Sequence, residues 1–223
     1  MTLKIWGRPN SICTQRVLWA CAEMTVPYDL TLASATMGPH GHVSAGGKPY
    51  GIVDTPAYRA MNPNGSVPTI DDDGYILWES NAIVCYLALT YGAKRLHGDG
   101  PRGLAQQMKW MSWTNEHLEP ALHTLVMQCV RLAPAQRSPG AVEAARVSTI
   151  PALQRLDQLL AKQAFVAGDD FGIADIPVAC ALYRWMLFEL ETPALSNVQT
   201  WFAHVSARPG FITHVLPKQF HLS

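Results

Sequence analysis

Up to Tyr91, short apolar runs alternate with turn residues; past it, apolar residues recur at helical spacing. Residues 2–6 and 28–32 read as strands flanking a helix over 14–24, a βαβ unit whose two strands run parallel. From 33 to 55 the chain carries glycines at 38, 41, 46, 47 and 51 and prolines at 39 and 49, too much punctuation for a regular element, so a long loop is expected. A short helical turn over 56–61 follows. "SVPTI" and "YILW" then flank Asp71-Asp72-Asp73-Gly74, which predicts an antiparallel hairpin, with a helix over 80–91 behind it.

The polar, Gly-rich stretch "GAKRLHGDGPRG" marks a boundary, giving a domain over 1–91, a linker over 92–100 and a helical domain over 101–223. Leu104, Met108, Met111, Leu118, Leu122, Leu125, Cys129 and Leu132 fall on one stripe of a long helix that Pro120 should kink. Leu153, Leu156 and Leu160 place a second helix, which Pro151 suggests starts or bends there; further helices are expected over 173–188 and 195–206. The expected architecture is a small α/β domain followed by an all-α one.

Composition narrows the function. The chain has 223 residues, 48% apolar, enough to fill one large core or two small ones. Seventeen basic residues balance seventeen acidic ones, and no run of Lys and Arg follows a phosphate backbone or an anionic membrane, so no nucleic-acid or membrane partner is expected. The opening residues reach a Gly-Arg-Pro turn too soon for a secretory signal and no stretch is apolar enough to span a bilayer, so a cytoplasmic protein is expected. Five cysteines, at 13, 21, 85, 129 and 180, show no CxxC spacing, and neither a disulfide framework nor a metal site is indicated.

Three segments, "GRPNSICTQRVLW", "NPNGSVPTIDDDGYILWESNAIVCYLA" and "FVAGDDFGIADIPVACALYRW", together resemble a cytosolic glutathione S-transferase of bacterial type, over nearly the whole chain. The resemblance implies a thioredoxin-like N-terminal domain (βαβ-αββα, a four-stranded mixed sheet), an all-helical C-terminal domain, glutathione as co-substrate, a small-molecule electrophile and a homodimer. It also implies a cis Val67-Pro68 bond that turns the Val67 backbone toward an extended glutathione, paired as in β-augmentation. Glu79 would face the ammonium of the γ-glutamyl end, and the Ser80 hydroxyl with the free N–H groups of the helix start would face its carboxylate. Without a ligand, the same pair reads as a serine N-cap and a glutamate complementing the helix dipole.

By the same resemblance, the loop "PNSICTQRV" carries the catalytic group, with Ser11 at that position and Asn10 able to share or replace its role as donor to the glutathione sulfur. Shifting a thiol from about 8.5 to about 6.5 takes roughly 2.7 kcal/mol. One charge-assisted hydrogen bond, about 1.5–3 kcal/mol, plus a helix N-terminus, about 0.3–1 kcal/mol, is large enough. Cys13 competes with Ser11, because a thiol at a helix start can become a thiolate and form a mixed disulfide, which makes the chain a thioltransferase. A non-catalytic transferase-like binding module is the third possibility. His40, His42 and Lys48 are candidates for the glycyl carboxylate, and Trp110, Met111 and Trp113 for the wall of the electrophile site. "DFGIAD" resembles the family's capping box with Gly172 at the cap in place of a hydroxyl, Asp175 bonding back, and Phe171 and Ile176 at the spacing of a hydrophobic staple.

Overall fold

Strand β1 (Leu3–Gly7) buries Leu3 and Ile5 and turns Lys4 outward, where its ammonium meets Asp71 at 3.2 Å. The computed structural model describes residues 2–34, 52–92 and 96–216. Helix α1 (Ile12–Met24) returns the chain so that β2 (Tyr28–Leu32) lies parallel to β1, with Leu3 opposite Tyr28 and Gly7 opposite Leu32. Short helix α2 (Pro56–Met61) starts on Thr55, whose hydroxyl accepts the Tyr58 N–H. Strands β3 (Thr69–Asp72) and β4 (Tyr75–Trp78) form the expected hairpin. Its two-residue turn has φ of 53° at Asp73 and 89° at Gly74, the left-handed pair that matches the twist of the strands, and Asp71 Oδ1 accepts the Gly74 N–H at 2.7 Å.

The sheet order is β2-β1-β3-β4, with β1 antiparallel to β3: a four-stranded mixed sheet of thioredoxin-like topology. Helix α3 (Ser80–Tyr91) packs beside α1. Contacts divide the chain into one unit of Met1–Ala93 with Pro209–Phe220 and another containing Lys94–Arg208. The late helix α9 (Pro209–His214) thus belongs to the first unit: Phe211 meets Trp19 edge-on with ring centroids 5.3 Å apart, and a Cβ on Gly210 would stand 2.3 Å from the Trp19 ring.

The second unit is helical. Helix α4 (Gly100–His117) breaks at Leu118, and α5 (Glu119–Val126) restarts with Pro120 in its first turn, where the missing N–H costs nothing. The buried face of the pair is Gln107, Trp110, Met111, Thr114, Leu118, Leu122 and Leu125. Met108, expected on the stripe, is 48% exposed.

A π-helical turn (Met127–Arg131) and a 3-10 turn (Pro134–Gln136) lead to α6 (Pro139–Leu160), capped by Ser138, whose hydroxyl accepts the Ala141 N–H. This helix runs through Pro151 rather than starting there. Proline deprives the carbonyl four residues earlier of its donor. That residue, Val147, is 54% exposed, so water can take the vacated position.

Helices α7 (Asp175–Met186) and α8 (Ser196–Ser206) complete the unit. Asp157 on α6 anchors α8 by accepting the Asn197 and Val198 N–H groups at 2.9 and 3.0 Å. No helix among the described residues is long and apolar enough to cross a membrane.

Candidate functional site

In the sheet, Trp6 lies opposite Thr69, and Thr69 opposite Trp78. This row brings the three sequence motifs to one end of three adjacent strands. Just beyond Trp6 come Gly7 and the loop to Ser11; just before Thr69 come Val67-Pro68; just after Trp78 come Glu79-Ser80. Strands β1, β3 and β4 are adjacent, so two inter-strand spacings, about 10 Å, separate the outer motifs. An extended tripeptide is about 10–11 Å long, so one such ligand can reach all three.

At the first motif, Ser11 is the N-cap residue of α1, yet its hydroxyl makes no capping bond. Its backbone is fixed instead: the Ser11 N–H donates to the Arg8 carbonyl at 3.0 Å, and the Ser11 carbonyl accepts the Gln15 N–H at 2.8 Å. Asn10 and Ser11 are buried, and Cys13, in the first turn of α1, is half-buried.

The loop departs from β1 under tight packing. A Cβ on Gly7 would lie 2.6 Å from Thr14 Cγ2, so only glycine lets the strand end pass the helix start. Gly7→Ala should therefore destabilise the protein by about 1–3 kcal/mol in urea unfolding. Adding Thr14→Ala should recover most of the loss; no recovery would place the cost elsewhere.

At the second motif the Val67-Pro68 bond is cis. Among the described residues, neither the N–H nor the carbonyl of Val67 has a main-chain hydrogen-bond partner. The Val67 side chain packs on a small core of Ala33, Val53 and Tyr58.

At the third motif Glu79, not Ser80, is the N-cap: its carboxylate accepts the Ala82 N–H at 2.9 Å. Its φ of 77° is in the range that disfavours side chains, strain of a kind that clusters at functional sites. Ser80, the first helical residue, is 2% exposed, and its buried Oγ has no hydrogen-bond partner among the described residues.

Burial pushes the Cys21 thiol up to about 12 and the Cys85 thiol up to about 11, which removes both as thiolates near neutrality. Trp110 and Met111 are core residues, and Trp113 meets Trp110 edge-on at 5.1 Å. His40, His42 and Lys48, with residues 35–51 of the expected loop, lie outside the described residues. Among the described residues no group of three or more His, Cys, Asp or Glu could hold a metal ion.

The sequence reading missed a buried polar network behind Val67. The Tyr58 hydroxyl donates to the Ser66 carbonyl at 2.8 Å and lies 2.8 Å from Thr69 Oγ1. Asn62 Nδ2 donates to the same carbonyl at 2.9 Å and to Thr69 Oγ1 at 3.1 Å. In sequence, Asn62-Pro63 reads only as a turn signal.

The capping box forms without its hydroxyl. Asp175 Oδ2 accepts the Gly172 N–H at 2.9 Å, while Oδ1 accepts the Val166 N–H at 2.9 Å and the Trp201 indole N–H at 2.8 Å. Gln107 on α4 supplies the missing acceptor: its Oε1 takes the Ala174 N–H at 2.9 Å. A Cβ on Gly172 would stand 2.4 Å from the Gln107 amide, so glycine is what admits the substitute.

A thioredoxin-like unit thus carries a tripeptide-length row of polar groups at one sheet end, and a helical unit follows it. Residues 10–90 match the family model of the glutathione S-transferase N-terminal domain, and residues 118–209 that of the C-terminal domain. The chain is 37% identical over 210 residues to glutathione S-transferase GstB of Escherichia coli (strain K12), covering 93% of this chain and 95% of that protein. It superposes on the theta class glutathione S-transferase of Xanthomonas axonopodis pv. citri with glutathione bound, with TM-score 0.86 and 34% identity, covering 100% and 99% of the two chains. It is also 32% identical over 164 residues to elongation factor 1-gamma of Danio rerio, covering 71% of this chain and 36% of that protein. The chain belongs to the glutathione S-transferase family, whose co-substrate is glutathione.

Proposed function

We propose that this chain activates the glutathione thiol as a thiolate for attack on an electrophilic small molecule. Three polar groups at one sheet end that find no partner among the described residues carry this reading: the Ser11 hydroxyl, which makes no capping bond, the Val67 main chain and the Ser80 hydroxyl. Glutathione lies extended past Val67, pairing its cysteinyl main chain with the Val67 N–H and carbonyl. Its γ-glutamyl carboxylate takes the Ser80 hydroxyl and the N–H groups at the start of α3. The ammonium faces the Glu79 carboxylate, which already caps that helix.

Ser11 donates a hydrogen bond to the sulfur, with Asn10 beside it as a second donor. The thiol proton leaves to solvent, and the sulfur lone pair forms the new carbon–sulfur bond. The electron pair displaced at the electrophile departs with its leaving group, or is protonated where the reaction is an addition.

A second reading has one observation behind it: Cys13 sits half-buried in the first turn of α1, two residues past Ser11. There the Cys13 thiolate attacks a glutathione-containing disulfide, forms a mixed disulfide with glutathione and releases the other thiolate. A second glutathione thiolate then regenerates Cys13. In either reading the protein works in the cytoplasm as a homodimer, which sedimentation at micromolar concentration tests.

Calorimetry with reduced glutathione decides whether the site is functional. Binding at micromolar to millimolar Kd, with retention on glutathione-agarose and elution by free glutathione, is expected. Folded protein that gives no heat at millimolar glutathione would leave a transferase-like module without the chemistry.

A further inference from the structure

We infer that Tyr58 and Asn62 are positioning residues that aim the Val67 N–H at the cysteinyl main chain of glutathione. This rests on the binding mode proposed above. Neither residue touches the ligand; both act through the Ser66–Val67 peptide.

The protons of the network can be assigned by counting donors. The single Tyr58 hydroxyl proton goes to the Ser66 carbonyl, an acceptor only. The close contact between Tyr58 Oη and Thr69 Oγ1 therefore takes its proton from Thr69. Asn62 Nδ2 supplies its two protons to the Ser66 carbonyl and to Thr69 Oγ1. Asn62 Oδ1 accepts the Asn64 N–H at 3.1 Å, which fixes which end of the amide points where. Every donor in the ring finds an acceptor, with Tyr58 2% exposed and Asn62 and Thr69 fully buried.

The Ser66 carbonyl is thus held from the protein side by two donors. The only cis bond among the described residues follows Val67, so the Ser66–Val67 peptide is trans. In a trans peptide the C=O and N–H point in opposite directions across one plane. Anchoring the carbonyl inward turns the Val67 N–H outward, and the Val67 side chain, packed on Ala33, Val53 and Tyr58, resists rotation of that plane. Loss of the anchors leaves the site present but misaimed.

Two variants and a control test this. Tyr58→Phe removes one anchor at nearly constant volume, and Asn62→Leu removes the other. Asp157→Asn weakens the start of α8 in the other unit, because it removes the charge there and the Oδ2 that accepts Asn197 Nδ2 at 2.9 Å, and it serves as the control for lost stability. Each anchor variant should weaken reduced glutathione by about tenfold in calorimetry, the equilibrium equivalent of one hydrogen bond. With an activated aryl halide, kcat at saturating glutathione should stay within about twofold, because ground-state and transition-state binding suffer alike. Asp157→Asn should leave the glutathione Kd unchanged.

Should Tyr58→Phe and Asn62→Leu both fold and bind as tightly as wild type, the positioning role is overturned while the binding mode stands. An equal loss in Asp157→Asn would also overturn it, by showing a general effect of instability. If wild type itself fails to bind glutathione, the inference and the reading beneath it fall together.

Discussion

Ser11→Ala is expected to cut glutathione conjugation at pH 6.5 by roughly ten- to thirtyfold and to return most of the rate above about pH 9. The size follows from the work assigned to the hydroxyl. Holding a thiol near 6.5 rather than 8.5 takes about 2.7 kcal/mol, of which the helix N-terminus supplies about 0.3–1 kcal/mol and the serine hydrogen bond most of the rest. The sign follows from which form reacts: only thiolate attacks, so a thiol restored to its ordinary range is almost wholly protonated at pH 6.5 and regains its charge as pH rises. The acid limb of kcat/KM should therefore move up by one to two pH units in the variant. Cys13→Ser should leave both the limb and the rate near wild type. Should Cys13→Ser abolish activity while Ser11→Ala keeps it, the cysteine carries the chemistry and the enzyme reduces disulfides. Because the Ser11 hydroxyl makes no cap bond, the alanine variant should fold normally, and its loss can be read as catalytic.

How much of this was legible before coordinates depends on whether the signal was local. The hairpin was, because Asp73-Gly74 fits a turn needing positive φ at both central residues, and the flanking apolar runs fix its strands. The motifs around Ser11, Val67-Pro68 and Glu79-Ser80 were legible as a resemblance, but not the row Trp6–Thr69–Trp78 that collects them, since register arises from pairing across the sheet. Glu79 as the cap, with φ of 77°, was hidden because propensity assigns that position to serine. Of the two readings of Pro151, a helix start fails because α6 runs through it, and its effect depends on whether Val147 four residues earlier faces water, which no local window shows. Gln107 standing in for a missing cap hydroxyl was unreadable: 67 residues separate it from Ala174.

Asp175 shows the same long-range dependence and is where the largest loss of stability is expected. Its carboxylate takes three buried donors: the Val166 and Gly172 main-chain N–H groups and the Trp201 indole, which ties α7 to both the loop before it and to α8. Asp175→Ala strands all three, and an orphaned buried donor costs about 1–3 kcal/mol. Part of that is offset by relief of a desolvated charge, leaving a net loss of about 3–5 kcal/mol at pH 7, against a total stability of about 5–15 kcal/mol for a typical domain. Asp175→Asn should cost less than half as much, because Oδ1 alone serves Val166 and Trp201 and the amide nitrogen fails only Gly172. Burial, outweighing those donors, pushes the Asp175 carboxyl from 3.8 up to about 6. The folded state therefore holds the proton more tightly than the unfolded chain, and this group's contribution to stability falls as pH rises through that window and levels off above it. Urea unfolding of wild type and Asp175→Asn across pH 4 to 7 should show the asparagine penalty shrinking as pH increases. A penalty that grows instead would mean the carboxylate is stabilised by its donors more than it is penalised by burial, and that Asp175 anchors α7 as an anion.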